Sequence, residues 1–280
     1  MNRRRAKQLV PGALLLAAAL LAAWSLWWEP ASLFNETHTL KPPRWPASCH
    51  GLRLGVLADL HTGSPFNDLE KLQSIVETTN ASQPDLILLA GDYVIHGVVG
   101  GKFVGVEAIA AELARLDPRY GTYAVLGNHD WWYDADRVAQ ALQDEGIELL
   151  EDRNKIVEAG DCRFALAGIS DYWEGAHDLT AALAGIDAQL PTIAFTHNPD
   201  VFPLVPDAVS LTIAGHTHGG QVNLPFFGRV VVPSAFGDRY AAGLVVENGR
   251  HLFVSTGLGT SILPVRFRVP PEISVLVLEE

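Results

Sequence analysis

The sequence predicts an α/β protein preceded by one N-terminal transmembrane helix. Three observations carry this. From Leu52 onward, short apolar runs bounded by polar turns alternate with segments of helical periodicity. Five of the apolar runs end directly in Asp, Asn or His, in LADLH, LAGDY, LGNHD, FTHNP and AGHTH. Ahead of them lies an uncharged apolar run from Leu9 to Trp28.

The first elements concern the membrane. Residues 1–8 form a basic leader holding Arg3, Arg4, Arg5 and Lys7. Residues 9–28 are long enough to span a bilayer and end in Trp24, Trp27 and Trp28, whose side chains favour the membrane interface. Positive charge before the run predicts a cytoplasmic N-terminus, with the body across the membrane. The small residues of Ala17–Ala23 leave a cleaved signal peptide as the competing reading, and the body leaves the cytoplasm either way. Residues 29–48, with Pro30, Pro42, Pro43 and Pro46, read as a stiff linker.

Residues 49–280 read as one domain. Strands are expected at Leu52–Leu57, Asp85–Ala90 and Thr122–Leu126. Between and after them come helices from Asn67 as N-cap through Asn80, over Val106–Leu116, and over Asp134–Glu145 with Asp134 as N-cap. The second half is richer in strands, at Phe164–Ala167, Thr192–Phe195, Leu211–Ala214, Leu244–Val246, Leu252–Ser255 and Ser274–Leu278, with a short helix at Asp178–Ala184. Cys49 and Cys162 could form a disulfide outside the cytoplasm, but sequence does not place them within bonding reach, and two separate buried thiols are the plainer reading.

Composition excludes several classes. The 280 residues are 48% hydrophobic, too apolar for a disordered chain. Net charge is −12, the wrong sign for a protein that neutralises nucleic-acid phosphates, so no nucleic-acid polymer is expected as a partner. The average conceals a basic leader and a body, residues 49–280, with 14 basic and 30 acidic side chains.

In open α/β sheets, ligands bind beyond the carboxyl ends of strands. The five polar strand ends therefore describe one cluster: Asp59, His61, Asp92, Asn128, His129, His197, His216 and His218. Carboxylate, amide and imidazole donors without thiolate suit Mn, Fe, Zn or Mg. Eight residues are too many for one ion. Two ions about 3.5–4 Å apart that share a carboxylate use them well and clamp a phosphoryl group.

The ordered set D-x-H (Asp59, His61), G-D (Gly91, Asp92), G-N-H-D (Gly127 to Asp130), a lone His197 and G-H-T-H (Gly215 to His218) resembles the calcineurin-like metallophosphoesterase family. The likeness covers most of residues 52–279. GHTHGGQ, THNPD, STGLGT and PPEI look closest to its membrane-associated bacterial phosphodiesterase branch. The resemblance implies a four-layer αββα sandwich and two divalent or mixed-valence ions. It implies Asp59, His61 and His218 on the first ion, Asn128, His197 and His216 on the second, and Asp92 bridging. A metal-bridging hydroxide would attack phosphorus, with His129 stabilising the phosphoryl oxygens or protonating the leaving group. Asp130 would orient His129 or else sit exposed in a turn. His96 would touch substrate or support His129, with a surface histidine as the plainer reading. Asp171–His177 and Trp131–Tyr133 would line the site or simply pack.

The expected function is a phosphodiesterase or pyrophosphatase in the bacterial cytoplasmic membrane, its catalytic domain extracytoplasmic, acting on a phosphoester that is lipid-linked or otherwise outside the cytoplasm. The alternatives are a non-catalytic metal-binding module on the same fold and a protein phosphatase.

Overall fold

The computed structural model describes the backbone over residues 3–280 and the side chains over residues 12–280. The basic side chains expected in the leader lie outside the described residues. Helix α1 (Arg3–Ala23) continues through a π-helical turn at Trp24–Trp28 into the short α2 (Glu29–Ala31). Its segment Gly12–Ala31 is long and apolar enough to cross a membrane, and only 6% of it is buried against the rest of the protein.

The segment expected to be a linker is instead part of the domain. Only Ser32 and Leu33 separate α2 from strand β1 (Phe34–Leu40). This strand pairs in parallel along its whole length with β14 (Glu272–Leu278), in the register Phe34↔Glu272 to Leu40↔Leu278. The prolines flank the strand, where they cost no ladder hydrogen bond.

The first sheet runs β1–β14–β2–β3–β4–β5, with β2 (Leu52–Leu57), β3 (Leu86–Ala90), β4 (Thr122–Val125) and β5 (Glu148–Leu149). Strands β2 to β5 are parallel, so their carboxyl ends open on one side. Their crossovers are α3 (Leu69–Ala81), α4 (Val106–Leu113) and α5 (Asn128–Asp144). The cap of α3 is Asp68, whose carboxylate accepts from Lys71 N–H; Asn67 turns inward to the Leu60 carbonyl instead. Within α5, Asp134 leaves helical geometry (φ −177°) and accepts from Arg137 N–H, so it caps the second part as expected.

The second sheet runs β12–β13–β9–β8–β7–β6. It is built from β6 (Arg153–Ala159), β7 (Cys162–Ile169), β8 (Thr192–Thr196), β9 (Leu211–Ala214), β12 (Gly243–Glu247) and β13 (Arg250–Val254), with α6 (Leu179–Ala182) after β7. A small hairpin, β10 (Asn223–Leu224) and β11 (Gly228–Arg229), stands apart.

Strand alternation builds the layers. Leu54, Val56, Leu86, Leu88 and Val125 face Phe164, Leu166, Ile193, Phe195 and Phe253 between the sheets. Ile87, Leu89 and Ala124 face the opposite way, under Leu72, Ile75, Ile109 and Val138 of the three helices. Beyond the second sheet, Ala194, Ala214 and Val254 pack on Ala182, Phe202 and Tyr240. The expected four layers are present, and the fourth is thin: α6 and 3-10 turns.

Cys49 and Cys162 are bonded, not separate thiols. Cys49 precedes β2 and Cys162 opens β7, so folding brings the amino ends of these two strands together across the sandwich. A separation of 113 residues hid this proximity from the sequence.

Candidate metal centre

Eight polar residues expected to cluster do so, at the end of the sandwich where β2, β3, β4, β8 and β9 stop. All are buried. Asp59, His61, Asp92, Asn128 and His129 come from the first sheet, and His197, His216 and His218 from the second.

The turns that deliver them are strained. Asp59 (φ 52°), His61 (φ 40°), Asp92 (φ 58°), His216 (φ 70°) and His218 (φ 50°) occupy the left-handed region. Each such residue costs on the order of 1–3 kcal/mol, which the surrounding structure must offset. Two glycines let the loops come close enough. A Cβ on Gly91 would lie 2.5 Å from Gly127 N, and one on Gly127 would lie 2.2 Å from Asp92 Oδ1. Any side chain there would push β3 and β4 apart.

The histidines are held from behind. His197 Nδ1 donates to the Ala90 carbonyl at 2.8 Å, and His61 Nδ1 faces the Val94 carbonyl at 3.3 Å. Each therefore carries its ring proton on Nδ1 and turns Nε2 into the cluster. His61 Nε2 lies 3.1 Å from His218 Nε2. His197 Nε2 lies 3.1 Å from both Asn128 Oδ1 and His216 Nδ1. Lone pairs meeting lone pairs at this distance do not make a hydrogen-bond network; they suit a shared cation.

Asp92 joins the two groups. Its Oδ1 accepts from His129 N–H at 2.8 Å, leaving Oδ2 free to sit 3.4 Å from His61 Nε2 and 3.3 Å from His197 Nε2. Asp59 is fixed by His216 N–H, at 2.9 and 3.1 Å to its two oxygens, and lies 3.7 Å from His218 Nε2. Asp59, His61 and His218 thus form one group able to hold an ion, and Asp59, Asp92 and His197 another. The donor set fits two divalent ions with a shared carboxylate.

The charges within the cluster agree with a cation site. Burial holds His61 and His216 at about 3, so both rings are neutral donors at working pH. Burial, with His61 and Arg266 nearby, also takes His218 well below its usual value. Burial alone would raise Asp92, but His197, His129 and His61 hold it well below the usual carboxylate range. The same attraction lifts His197 well above its usual value against the effect of burial. Asp59 is pushed up to about 7, chiefly by burial. A cation relieves this mutual strain without a proton.

His129 stands beside the cluster, with its ring 4.5 Å from that of His61 and its Nδ1 without a partner. Asp130 neither orients His129 nor lies exposed. It is fully buried and accepts from the N–H groups of Gly127, Asp92 and Tyr93 at 2.8–2.9 Å, locking the Asp92 turn to the Asn128 turn. Its sequence neighbour drew attention to the wrong partner. His96 is exposed, with its ring 6.2 Å from His129 and 5.7 Å from Trp132.

The aromatic segments line the mouth. The Trp132 ring centre lies 4.9 Å from that of His129, and the Trp173 ring stands perpendicular to that of His216 with the centres 4.4 Å apart. Trp132 Nε1 donates to Glu174 at 2.8 Å, so the loops of the two sheets meet over the cluster. Asp171 supports this loop by accepting from the N–H groups of Trp173 and Glu174.

Sequence reasoning missed Arg266. It is fully buried, and its guanidinium donates to the carbonyls of Thr256, Gly257, Gly259 and Val269. The loop it ties down supports the first turn, through Leu258 N–H to Ala58 and Gly259 N–H to Asp59. A lone arginine between Val265 and Phe267 gave no sign of this.

Comparison with known proteins agrees with the geometry. A family model described as calcineurin-like phosphoesterase matches residues 52–220. The chain is 30% identical to the uncharacterized metallophosphoesterase YkuE of Bacillus subtilis, over all of this chain and 98% of that protein. It is 32% identical to phosphodiesterase YaeI of Escherichia coli, over 79% of this chain and 80% of that one. A Danio rerio relative named transmembrane protein with metallophosphoesterase domain is 30% identical, over 84% of this chain and 55% of that protein. Among solved structures, the Thermus thermophilus sulfate thiohydrolase SoxB shares the fold, with a TM-score of 0.51 at 13% identity, over 74% of this chain and 52% of that one.

Proposed function

The chain belongs to the calcineurin-like phosphoesterase family and is a phosphoester hydrolase, and from that premise we propose that it is a membrane-anchored phosphodiesterase or pyrophosphatase working outside the cytoplasm with two divalent ions. One observation carries the dinuclear reading: Asp92 Oδ2 lies within 3.4 Å of His61 and His197, which head separate donor groups. Asp59, His61 and His218 would hold one ion and Asn128, His197 and His216 the other, with Asp92 shared between the two groups. When bound, the ions supply Lewis acidity to the phosphoryl group and acidify a water molecule.

The protein's own groups do the rest. His129, beside Asn128 and close to His61, stabilises the phosphoryl oxygens or protonates the leaving group. Asp130 keeps the Asp92 and Asn128 turns in register. Trp132 and Trp173 narrow the mouth. His96, at its rim, contacts the part of the substrate away from the reacting phosphorus.

Location outside the cytoplasm rests on the apolar helix, the basic leader and Cys49–Cys162, since structural disulfides belong to oxidising compartments. The compartment is the outer side of a bacterial cytoplasmic membrane. A lipid-linked phosphoester suits a hydrolase fixed at that surface.

Elemental analysis of the purified protein, with turnover measured on mono-, di- and pyrophosphoesters, tests this reading. Two ions per chain and preference for a diester or pyrophosphate are expected; no bound metal and no turnover with any added ion would sink it. His129→Ala should keep both ions and lose about 10²–10³-fold in turnover. Unchanged turnover would remove His129 from the chemistry.

A further inference from the structure

Beyond the hydrolase site, the structure leaves an apolar surface for which the folded body offers no partner. The β10–β11 hairpin carries Phe226 and Phe227 at its tip, with Phe227 84% exposed and Phe226 forced into the left-handed region (φ 69°). Val230 and Val231 follow, and Ile262 and Leu263 project from the next loop; all four are exposed. Isolated apolar residues on a surface need no explanation, but a continuous set of this size does.

The set is continuous. Asn223 N–H donates to the Phe267 carbonyl, and Phe267 N–H to that of Gln221. The Gln221 amide donates to the Ser261 and Leu263 carbonyls and accepts from Ser261 N–H. Hairpin and loop are therefore one body. They are also joined to the N-terminal helix: Arg266 N–H donates to the Ser25 carbonyl at 2.9 Å, and buried Glu29 accepts from both Val269 N–H and the Trp24 indole.

Strand direction fixes where this body sits. β1 is parallel to β14, and β14 is antiparallel to β2, so the helix enters the domain at the carboxyl end of β2. That is the end bearing the candidate ligands. The hairpin starts five residues after His218 and lies at the same end, while the disulfide lies at the other.

Charge agrees. The chain has 32 acidic residues, yet none falls in residues 219–237 or 248–271. Arg229, Arg250, Arg266 and Arg268 do, and of these Arg268 is exposed. An apolar, acid-free surface with one exposed basic group, Arg268, fits a phospholipid interface and repels nothing there.

We propose that the β10–β11 hairpin and the Ile262–Leu263 loop insert into the interfacial layer of the same bilayer that residues 12–31 cross, turning the candidate metal centre toward the head groups. The proposal rests on the reading of those residues as a span, and not on the hydrolytic chemistry.

Nitroxide accessibility in the full chain, reconstituted in phosphatidylcholine–phosphatidylglycerol nanodiscs, decides it. Labels are placed through Phe227→Cys, through Glu158→Cys at the disulfide end, and through Leu20→Cys in the helix, the two native cysteines being bonded. The Phe227 site should be open to oxygen and about tenfold less open than the Glu158 site to a water-soluble nickel complex. Equal exposure to nickel at both sites overturns the proposal. Shielding of the Phe227 site from both quenchers overturns it too, since that is the mark of a second copy of the chain. The Leu20 label separates causes: lipid exposure there with nickel exposure at Phe227 refutes docking alone, and nickel exposure at both refutes the span.

Discussion

At the amino ends of β2 and β7 the two sheets are joined by Cys49–Cys162, a covalent link across 113 residues. At the carboxyl ends they are joined by side chains from both sheets that converge through hydrogen bonds alone, such as His216 N–H to Asp59. Five of those residues stand on strained left-handed backbone. The first closure is permanent and makes no demand on geometry elsewhere. The second is left unfinished, and a bound cation completes it. Stability is concentrated at one end of the molecule so that the other can stay strained.

The comparison is broken most severely at its polar end. Asp92→Ala removes the shared carboxylate and should lower phosphodiester turnover by about 10⁴-fold, with loss of at least one ion by elemental analysis. Retention of both ions would show that the two donor groups are independent. At the covalent end, reduction of Cys49–Cys162 should cost about 4 kcal/mol in denaturant unfolding, as expected for a long closed loop. The reduced protein should also become easier to unfold with a chelator than the oxidised one, because each closure then stands alone.

The smallest effect lies between the ends. Glu151 accepts from Leu126 N–H through one oxygen, while the other is shut off from solvent without a partner. Burial, reinforced by Asp152, Asp171 and Asp130, pushes its pKa up to about 8 from 4.5. The folded protein then holds a proton that the unfolded chain releases, so this group's contribution to stability falls as pH rises from 4.5 towards 8. Glu151→Gln should flatten that decline and leave the variant about 1–2 kcal/mol more stable than the parent at pH 8, measured by urea unfolding. A parallel pH profile in the two proteins would contradict it.

Most of the site was legible because buried parallel strands write their ends clearly: an apolar run such as Leu86–Ala90 stops abruptly, and the polar residue that follows has a known place in space. β1 was not legible, because an edge strand with the sequence FNETHTL lacks an apolar face and its partner lies more than 230 residues away. Asp130 was found but misread, since its role is set by backbone amides rather than by neighbouring side chains. Arg266 was invisible because its guanidinium donates to carbonyl groups, which have no sequence signature.

The placement of β14 between β1 and β2 bears on how the protein is made. A chain synthesised from its N-terminus has residues 34–40 and 52–57 in hand early, but neither can complete its pairing until residues 272–278 arrive. The strand next to the N-terminal helix must wait with an open ladder through almost all of translation. Closing of the first sheet is therefore a late event, and the turn carrying Asp59 and His61, which lies just beyond β2, takes its final support only then.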